Sequence, residues 1–170
     1  MMKKGKGKGK TRKGKARGKA SGRASPASPL IVLFYKENCG FCKRFEPYLF
    51  CAQDGLLPDI HFRRIESAEL SGMAEKKDNF GGSIFQFPTL RVFAPTVGGD
   101  YIMNNWKNEN PGNYVGQVNP ELVQETFRFY SNHPNEAVRN TLMQIAEEEG
   151  GVEKLAALSL FMQKSLSQRL

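Results

Sequence analysis

The chain is 170 residues long and carries 25 Lys and Arg against 17 Asp and Glu, a net charge of +8. Eleven of those bases and none of the acids fall in residues 1–29, which leaves 14 bases against 17 acids, a net of −3, in residues 30–170. A body of about 140 residues suits one globular domain with a sizeable core and excludes two large ones.

The uninterrupted apolar run nearest the start covers only residues 30–35. A signal-peptide core needs roughly 7 to 15 apolar residues and a membrane span about 20. The expectation is therefore no membrane and no export by that route, with a cytoplasmic or nuclear address. Three cysteines are an odd count for a disulfide scaffold, so the thiols are read as reactive or metal-binding.

Residues 1–29 alternate Lys or Arg with Gly, then Ala, Ser and Pro, without an aromatic or branched apolar side chain. Such a segment cannot bury enough surface to offset its ordering entropy and is predicted to be disordered. It reads either as a solubilising tail or as a nucleic-acid contact in which Lys3, Lys4, Lys6, Lys8, Lys10, Arg12 and Lys13 neutralise phosphates. A tail of this kind also suits nuclear import or association with a genome.

Residues 30–35, Leu-Ile-Val-Leu-Phe-Tyr, form a continuous β-rich run, the pattern of a strand buried on both faces. Phe41, Phe45, Leu49 and Ala52 then recur at helical spacing, with Pro47 able to kink that helix. A second strand is predicted over 60–65 and a helix over 68–77, before the Gly-rich breaker at 79–83. A third strand falls at 90–93, with strand partners at Tyr101 and Ile102 and at Tyr114 and Val115. Gly98, Gly99 and Asp100 between them read as a hairpin turn. Residues 120–130 form a helix capped by Asn119 with Pro120 at its first position. Two further amphipathic helices follow: 134–149 with Val138, Leu142 and Ile145 on one face, and 152–170 with Leu155, Leu158, Met162 and Leu166. They pack on the domain or offer a partner surface.

The chemistry centres on Cys39-Gly40-Phe41-Cys42, at the junction of the first strand and its helix. Free N–H groups and the dipole at a helix N-terminus favour an anion, here the thiolate of Cys39 that attacks a disulfide. Three residues on, Cys42 is close enough to close a disulfide and release the product, so Cys39 is read as nucleophile and Cys42 as resolving thiol. Lys36 and Lys43 add weak positive potential. Cys39, Cys42, Cys51 and His61 could in principle ligate zinc. Cys51, however, lies about 900° around and roughly 13 Å along an ideal helix from Cys42. It is read as a packed core thiol, or else as a regulatory or intermolecular one. His61 and His133 read as structural or surface residues, and Trp106 as a loop anchor without a functional role.

These residues resemble the thioredoxin-like superfamily, and within it the redox domains of protein disulfide isomerases. The match rests on Phe34-Tyr35, Cys39-Gly40, Cys42-Lys43-Arg44 and Pro47, on Phe87-Pro88-Thr89-Leu90, and on Tyr114-Val115-Gly116 ahead of a helix, over roughly residues 30–130. The resemblance implies a cis Pro88 facing the cysteine pair, with Phe87, Pro88 and Thr89 holding the substrate strand. Three departures stand out. Leu33 replaces a buried acid that accepts the resolving thiol's proton, Asn38 replaces a tryptophan, and Phe41 replaces a histidine. Slow turnover and a more reducing couple than an isomerase's follow. Cys-Gly-Phe-Cys is also similar to the Cys-Gly-Phe-Ser of monothiol glutaredoxins, but Phe87-Pro88-Thr89 is not the Thr-Val-Pro loop of that family.

The expectation is an α/β thioredoxin-like fold, a central mixed sheet flanked by helices. Residues 1–29 form a disordered basic tail, 30–130 the domain and 131–170 a two-helix C-terminal extension. The expected activity is thiol-disulfide exchange on protein substrates through Cys39 and Cys42, without a cofactor or metal. Reducing equivalents come from a reductase or small thiol that the sequence does not identify. The alternative is a redox-inert adaptor of the same fold, tethered to nucleic acid or an acidic partner by its tail.

Overall fold

The computed structural model describes residues 28–55, 59–72, 84, 86–107 and 116–167. The basic segment through residue 27, the part of the predicted 68–77 helix beyond residue 72 and the strand expected at Tyr114 and Val115 lie outside them. In chain order the elements are β1 (Leu30–Tyr35), α1 (Gly40–Asp54), β2 (His61–Glu66), α2 (Ser67–Gly72), β3 (Thr89–Pro95), β4 (Tyr101–Lys107), α3 (Pro120–Ser131), α4 (Glu136–Glu147) and α5 (Gly151–Ser167).

The sheet has the order β2-β1-β3-β4, with β1 and β2 parallel and the β1–β3 and β3–β4 pairs antiparallel. β1 is its centre because its apolar residues occupy both faces. Ile31 and Leu33 pack with Phe45 and Leu49 of α1, while Val32 and Phe34 pack with Ile65 of β2 in a smaller cluster on the other face. The alternation follows from the two-residue side-chain period of a strand. Register fixes the rest, setting Leu33 beside Arg64 of β2 and Leu90 of β3.

The β3–β4 hairpin closes at Pro95 opposite Tyr101. Its turn is made by Thr96 N–H donating to Asp100 O at 2.7 Å and Gly99 N–H to Thr96 O at 3.1 Å, with Gly99 at φ +87°. β4 extends through Trp106, so this residue is a core strand residue rather than a loop anchor. It is 4% exposed, and its ring centroid lies 5.4 Å from that of Phe161. Polar Asn104 and Asn105 obscured the strand in the sequence. Arg91 of β3 is buried as well, with Nε donating to Asn105 Oδ1 at 2.6 Å and its guanidinium 5.6 Å from the Phe34 ring centre.

The helices following the sheet join the same core. α5 lies against β3 and β4 as well as α1, whereas α3 packs chiefly on α4 and α5. Leu155, Leu158, Phe161, Met162 and Leu166 of α5 belong to one cluster with Ile31, Leu33, Leu90, Val92 and Trp106. α4 contributes Val138, Leu142 and Ile145 to it. Two side-chain contacts tie these helices to one another and to α1. Tyr130 and Ser159 hydroxyls lie 3.0 Å apart, and Tyr48 Oη donates to the Glu148 carboxylate. The α4–α5 corner is tight, because a Cβ on Gly151 would stand 2.0 Å from the Ile145 carbonyl oxygen.

Phe161 is a direct probe of this arrangement. Truncating a fully buried phenylalanine costs about 3 to 5 kcal/mol, so Phe161→Ala is expected to destabilise the whole domain by that amount in urea titration. Val97→Ala, at a site 84% exposed, should stay within about 0.5 kcal/mol. A loss below about 1 kcal/mol for Phe161→Ala would contradict a core shared by the sheet and α5.

Candidate active site

β1 ends at Tyr35, and residues 36–38 turn the chain into α1. Cys39 N–H donates to Lys36 O at 3.2 Å, and Asn38 adopts φ +60°. That left-handed conformation is tolerated by asparagine and disfavoured for bulkier side chains. Local backbone geometry therefore gives Asn38 a physical reason to stand where the resembled family has tryptophan. The turn is braced by Glu66 at the end of β2, whose carboxylate accepts Glu37 N–H at 3.5 Å, Ser67 Oγ at 3.1 Å and Ala68 N–H at 2.8 Å. The Ala68 N–H is the main reason its carboxyl sits below the usual range.

Cys39 is the N-cap of α1. It is half-buried and extended in backbone, and its Sγ accepts the Cys42 N–H at 3.3 Å. Cysteine here fills the place usually held by Ser, Thr, Asp or Asn, whose side chains bind an otherwise unpaired helix N–H. The first turn of α1 contains no acid, so no fixed negative charge in that turn opposes an anionic sulfur beside the positive end of the helix. On its other side, Cys39 Sγ donates to Phe87 O at 3.9 Å.

Cys42 is 3% exposed. Burial, and next its hydrogen bond with Cys39, push its thiol up to about 11. Leu33, 1% exposed, packs in the core on the α1 side of β1. Its strand neighbour Arg64 pairs with Glu46 of α1 and lies 5.0 Å over the Tyr35 ring. The groups acting on the Cys42 thiol are its burial, Cys39, and the Lys36 and Cys42 backbone, with no described carboxylate among them. All three cysteines are free thiols.

The Phe87–Pro88 peptide is cis. Pro88 and Thr89 are buried, and the Thr89 hydroxyl donates to Gln86 O at 2.6 Å. Its side chain braces the loop at residues 86–89, and Phe87 supplies the carbonyl that meets Cys39. The structure thus assembles Cys39, Cys42, Phe87, Pro88 and Thr89 at one end of the sheet. Lys3, Lys4, Lys6, Lys8, Lys10, Arg12 and Lys13 fall outside the described residues.

Several residues take places other than those the sequence suggested. Phe41, expected on the buried stripe of α1, is 45% exposed, and the Arg44 guanidinium lies 4.6 Å from its ring centre. The buried face consists instead of Cys42, Phe45, Tyr48, Leu49, Cys51 and Ala52. α1 continues through Pro47, so Cys51 is carried well away from Cys42. It is fully buried, with Sγ donating to Val138 O at 3.8 Å, and burial, then Asp54, push its thiol up to about 12. His61 is exposed, and His133 pairs with Asp54 at 3.7 Å. Among the described residues, no group of three or more His, Cys, Asp or Glu side chains could hold a metal ion. No helix among them is long and apolar enough to cross a membrane.

Strand order, the mix of parallel and antiparallel pairing, two cysteines flanking the first turn of α1 and a cis proline opposite them make the fold thioredoxin-like. No family model and no curated protein matches the chain. Among solved structures, the chain is similar to the Trx4 domain of ERdj5, with 14% identity, a TM-score of 0.38, and coverage of 46% of this chain and 65% of that one. It is also similar to the first thioredoxin domain of mouse protein disulfide-isomerase A4, with 25% identity, a TM-score of 0.31, and coverage of 55% of this chain and 66% of that one. In both cases the match spans just under two thirds of the other chain.

The buried thiols give a pH dependence with a definite sign. Against a reference of 9.0, Cys42 is raised to about 11 and Cys51 to about 12. As pH rises past about 9 the unfolded chain releases these protons first and the folded chain retains them, so stability is full below pH 9 and falls through pH 11–12. The urea midpoint is expected to drop between pH 8 and 10.5, and to drop less in Cys51→Ala. A flat midpoint over that interval would contradict the burial of these thiols.

Proposed function

We propose that the protein is a thiol-disulfide oxidoreductase acting on polypeptide disulfides. The observation that carries this reading is the position of Cys39 Sγ, which accepts the Cys42 N–H at the start of α1 while facing the Phe87 carbonyl next to cis Pro88. A sulfur so held is half-exposed to an incoming disulfide and has its resolving partner one helical turn away.

In the reducing direction, the Cys39 thiolate attacks one sulfur of the substrate disulfide. The substrate S–S bond breaks, a mixed disulfide forms, and one substrate thiolate leaves and takes a proton from water. Cys42 then loses its proton and attacks Cys39 Sγ, giving the Cys39–Cys42 disulfide and the second substrate thiol. Two electrons pass from the pair to the substrate, and a dithiol reductant or small thiol must restore them. Phe87, Pro88 and Thr89 border the path of the substrate backbone. The second exchange is the slow one in this reading, because Cys42 is buried and Leu33 offers no oxygen to receive its proton.

Cys39→Ser is expected to reduce turnover of a disulfide-bonded polypeptide to background. Cys42→Ser is expected to retain the first exchange and accumulate a covalent adduct, visible as a mass equal to protein plus substrate. A parent chain no more active than Cys39→Ser, with both at background, would favour the redox-inert adaptor, the reading to which the apolar Leu33 also lends weight.

The basic segment is proposed to contact nucleic acid through its phosphates, supported by eleven bases without an acid in residues 1–29. Binding to a DNA or RNA duplex is expected to weaken steeply with salt, with a log-log slope of about −0.9 for each phosphate neutralised. It should vanish when residues 1–29 are removed. Binding that survives the deletion would contradict the assignment.

A further inference from the structure

From the surface around Cys39 we infer that the preferred substrates are polypeptide disulfides whose attacked cysteine is flanked by carboxylates and an apolar side chain. This rests on the exchange proposed for Cys39 and Cys42.

Phe41 is exposed immediately after the nucleophile's neighbour Gly40, and Arg44 stacks on its ring at 4.6 Å. Residues three apart on a helix are neighbours, and the stack holds a cation that would otherwise sweep a large volume. The result is a flat apolar face with a fixed positive edge, on the same first turns that present Cys39. Lys36 and Lys43 are both exposed on the same end of the domain.

The local acids do not cancel this field. The first turn of α1 has none. Glu46 pairs with Arg64. Glu66, hydrogen-bonded by the Ser67 hydroxyl and the Ala68 and Glu37 N–H groups, keeps its charge and lies close enough to Lys36 to offset that cation, which leaves Arg44 and Lys43 to set the sign. Glu37 is exposed and offsets one cation. Arg44, Lys36 and Lys43 form no salt bridge with a described residue. With the α1 N-terminus added, the rim of the nucleophile is positive. A substrate carboxylate next to the disulfide is therefore attracted, and a lysine in its place repelled. The aromatic face requires an apolar side chain on the substrate, which a polypeptide supplies and a small thiol such as glutathione lacks.

The test uses the full-length chain, pre-reduced, mixed in stopped flow at low salt with two synthetic peptides. Both contain the same internal disulfide and a leucine beside one cysteine, and they differ only in Glu or Lys at the flanking positions. The Glu peptide is expected to react about fivefold faster, the scale of an exposed ion pair. In Arg44→Glu the Glu-to-Lys rate ratio is expected to fall about fivefold or more, which assigns the preference to Arg44, since the tail's charge acts equally on parent and variant. A ratio at or below one in the parent, or one unchanged in Arg44→Glu, overturns the inference while leaving the exchange reading intact. Failure of both peptides to react overturns both.

Discussion

Burial of β1 on both faces is the constraint from which the remaining structure follows. A strand of six consecutive apolar residues, LIVLFY, cannot sit at an edge, so it recruits β2 on one side and β3 on the other and demands a helix layer over each face. Its alternation sends Ile31 and Leu33 to the α1 side and Val32 and Phe34 to the other. Where that strand ends is then a matter of register, and the turn after Tyr35 delivers Cys39 to the N-terminus of α1. The loop carrying Phe87 and Pro88 meets it because β3 runs antiparallel to β1 and begins opposite Phe34.

The same packing separates the two sulfurs of the site. Cys39 stays at the surface end of the helix, capping an N–H, while one turn later Cys42 is under the domain's surface with Leu33 and its neighbours filling the interior. A thiol raised by burial is a poor nucleophile until its proton leaves. In the proposed exchange this arrangement would favour capture of a substrate over its release. Outside the pair, Arg44 lies over the exposed Phe41 ring. In that exchange, an apolar underside and a cationic rim would give the two steps different determinants: partner electrostatics for the first, proton removal from Cys42 for the second.

Much of this was legible in the sequence because it is written in local patterns. The continuous run at Leu30–Tyr35, the Asn119-Pro120 helix start and the Gly-rich hairpin each encode their structure in adjacent residues. The cysteine pair and the Phe87-Pro88-Thr89 loop were identifiable as motifs. What depends on long-range packing was not. A helical stripe says that a face is buried, not against what, so nothing in the pattern of α5 said that Phe161 would meet Trp106. Phe41 fits the α1 stripe by spacing, yet it is exposed and carries Arg44 over its ring. Trp106 was hidden by Asn104 and Asn105, polar residues that β4 accommodates because, unlike β1, it has a β-strand partner on one side only among the described residues. Leu33 and its consequence were visible as a departure, and no described carboxylate acts on Cys42 in its place.

The most direct test of the central claim is the redox equilibrium of the pair itself. A Cys51→Ser variant is equilibrated in graded dithiol or glutathione buffers, and its free thiols are counted by alkylation and mass. A thiol-disulfide oxidoreductase working through this pair is expected to show a reversible two-electron couple between Cys39 and Cys42, with a potential nearer the roughly −270 mV of thioredoxin than the roughly −180 mV of protein disulfide isomerase. Two alkylatable thiols remaining at every buffer potential, with no disulfide formed between Cys39 and Cys42, would contradict it.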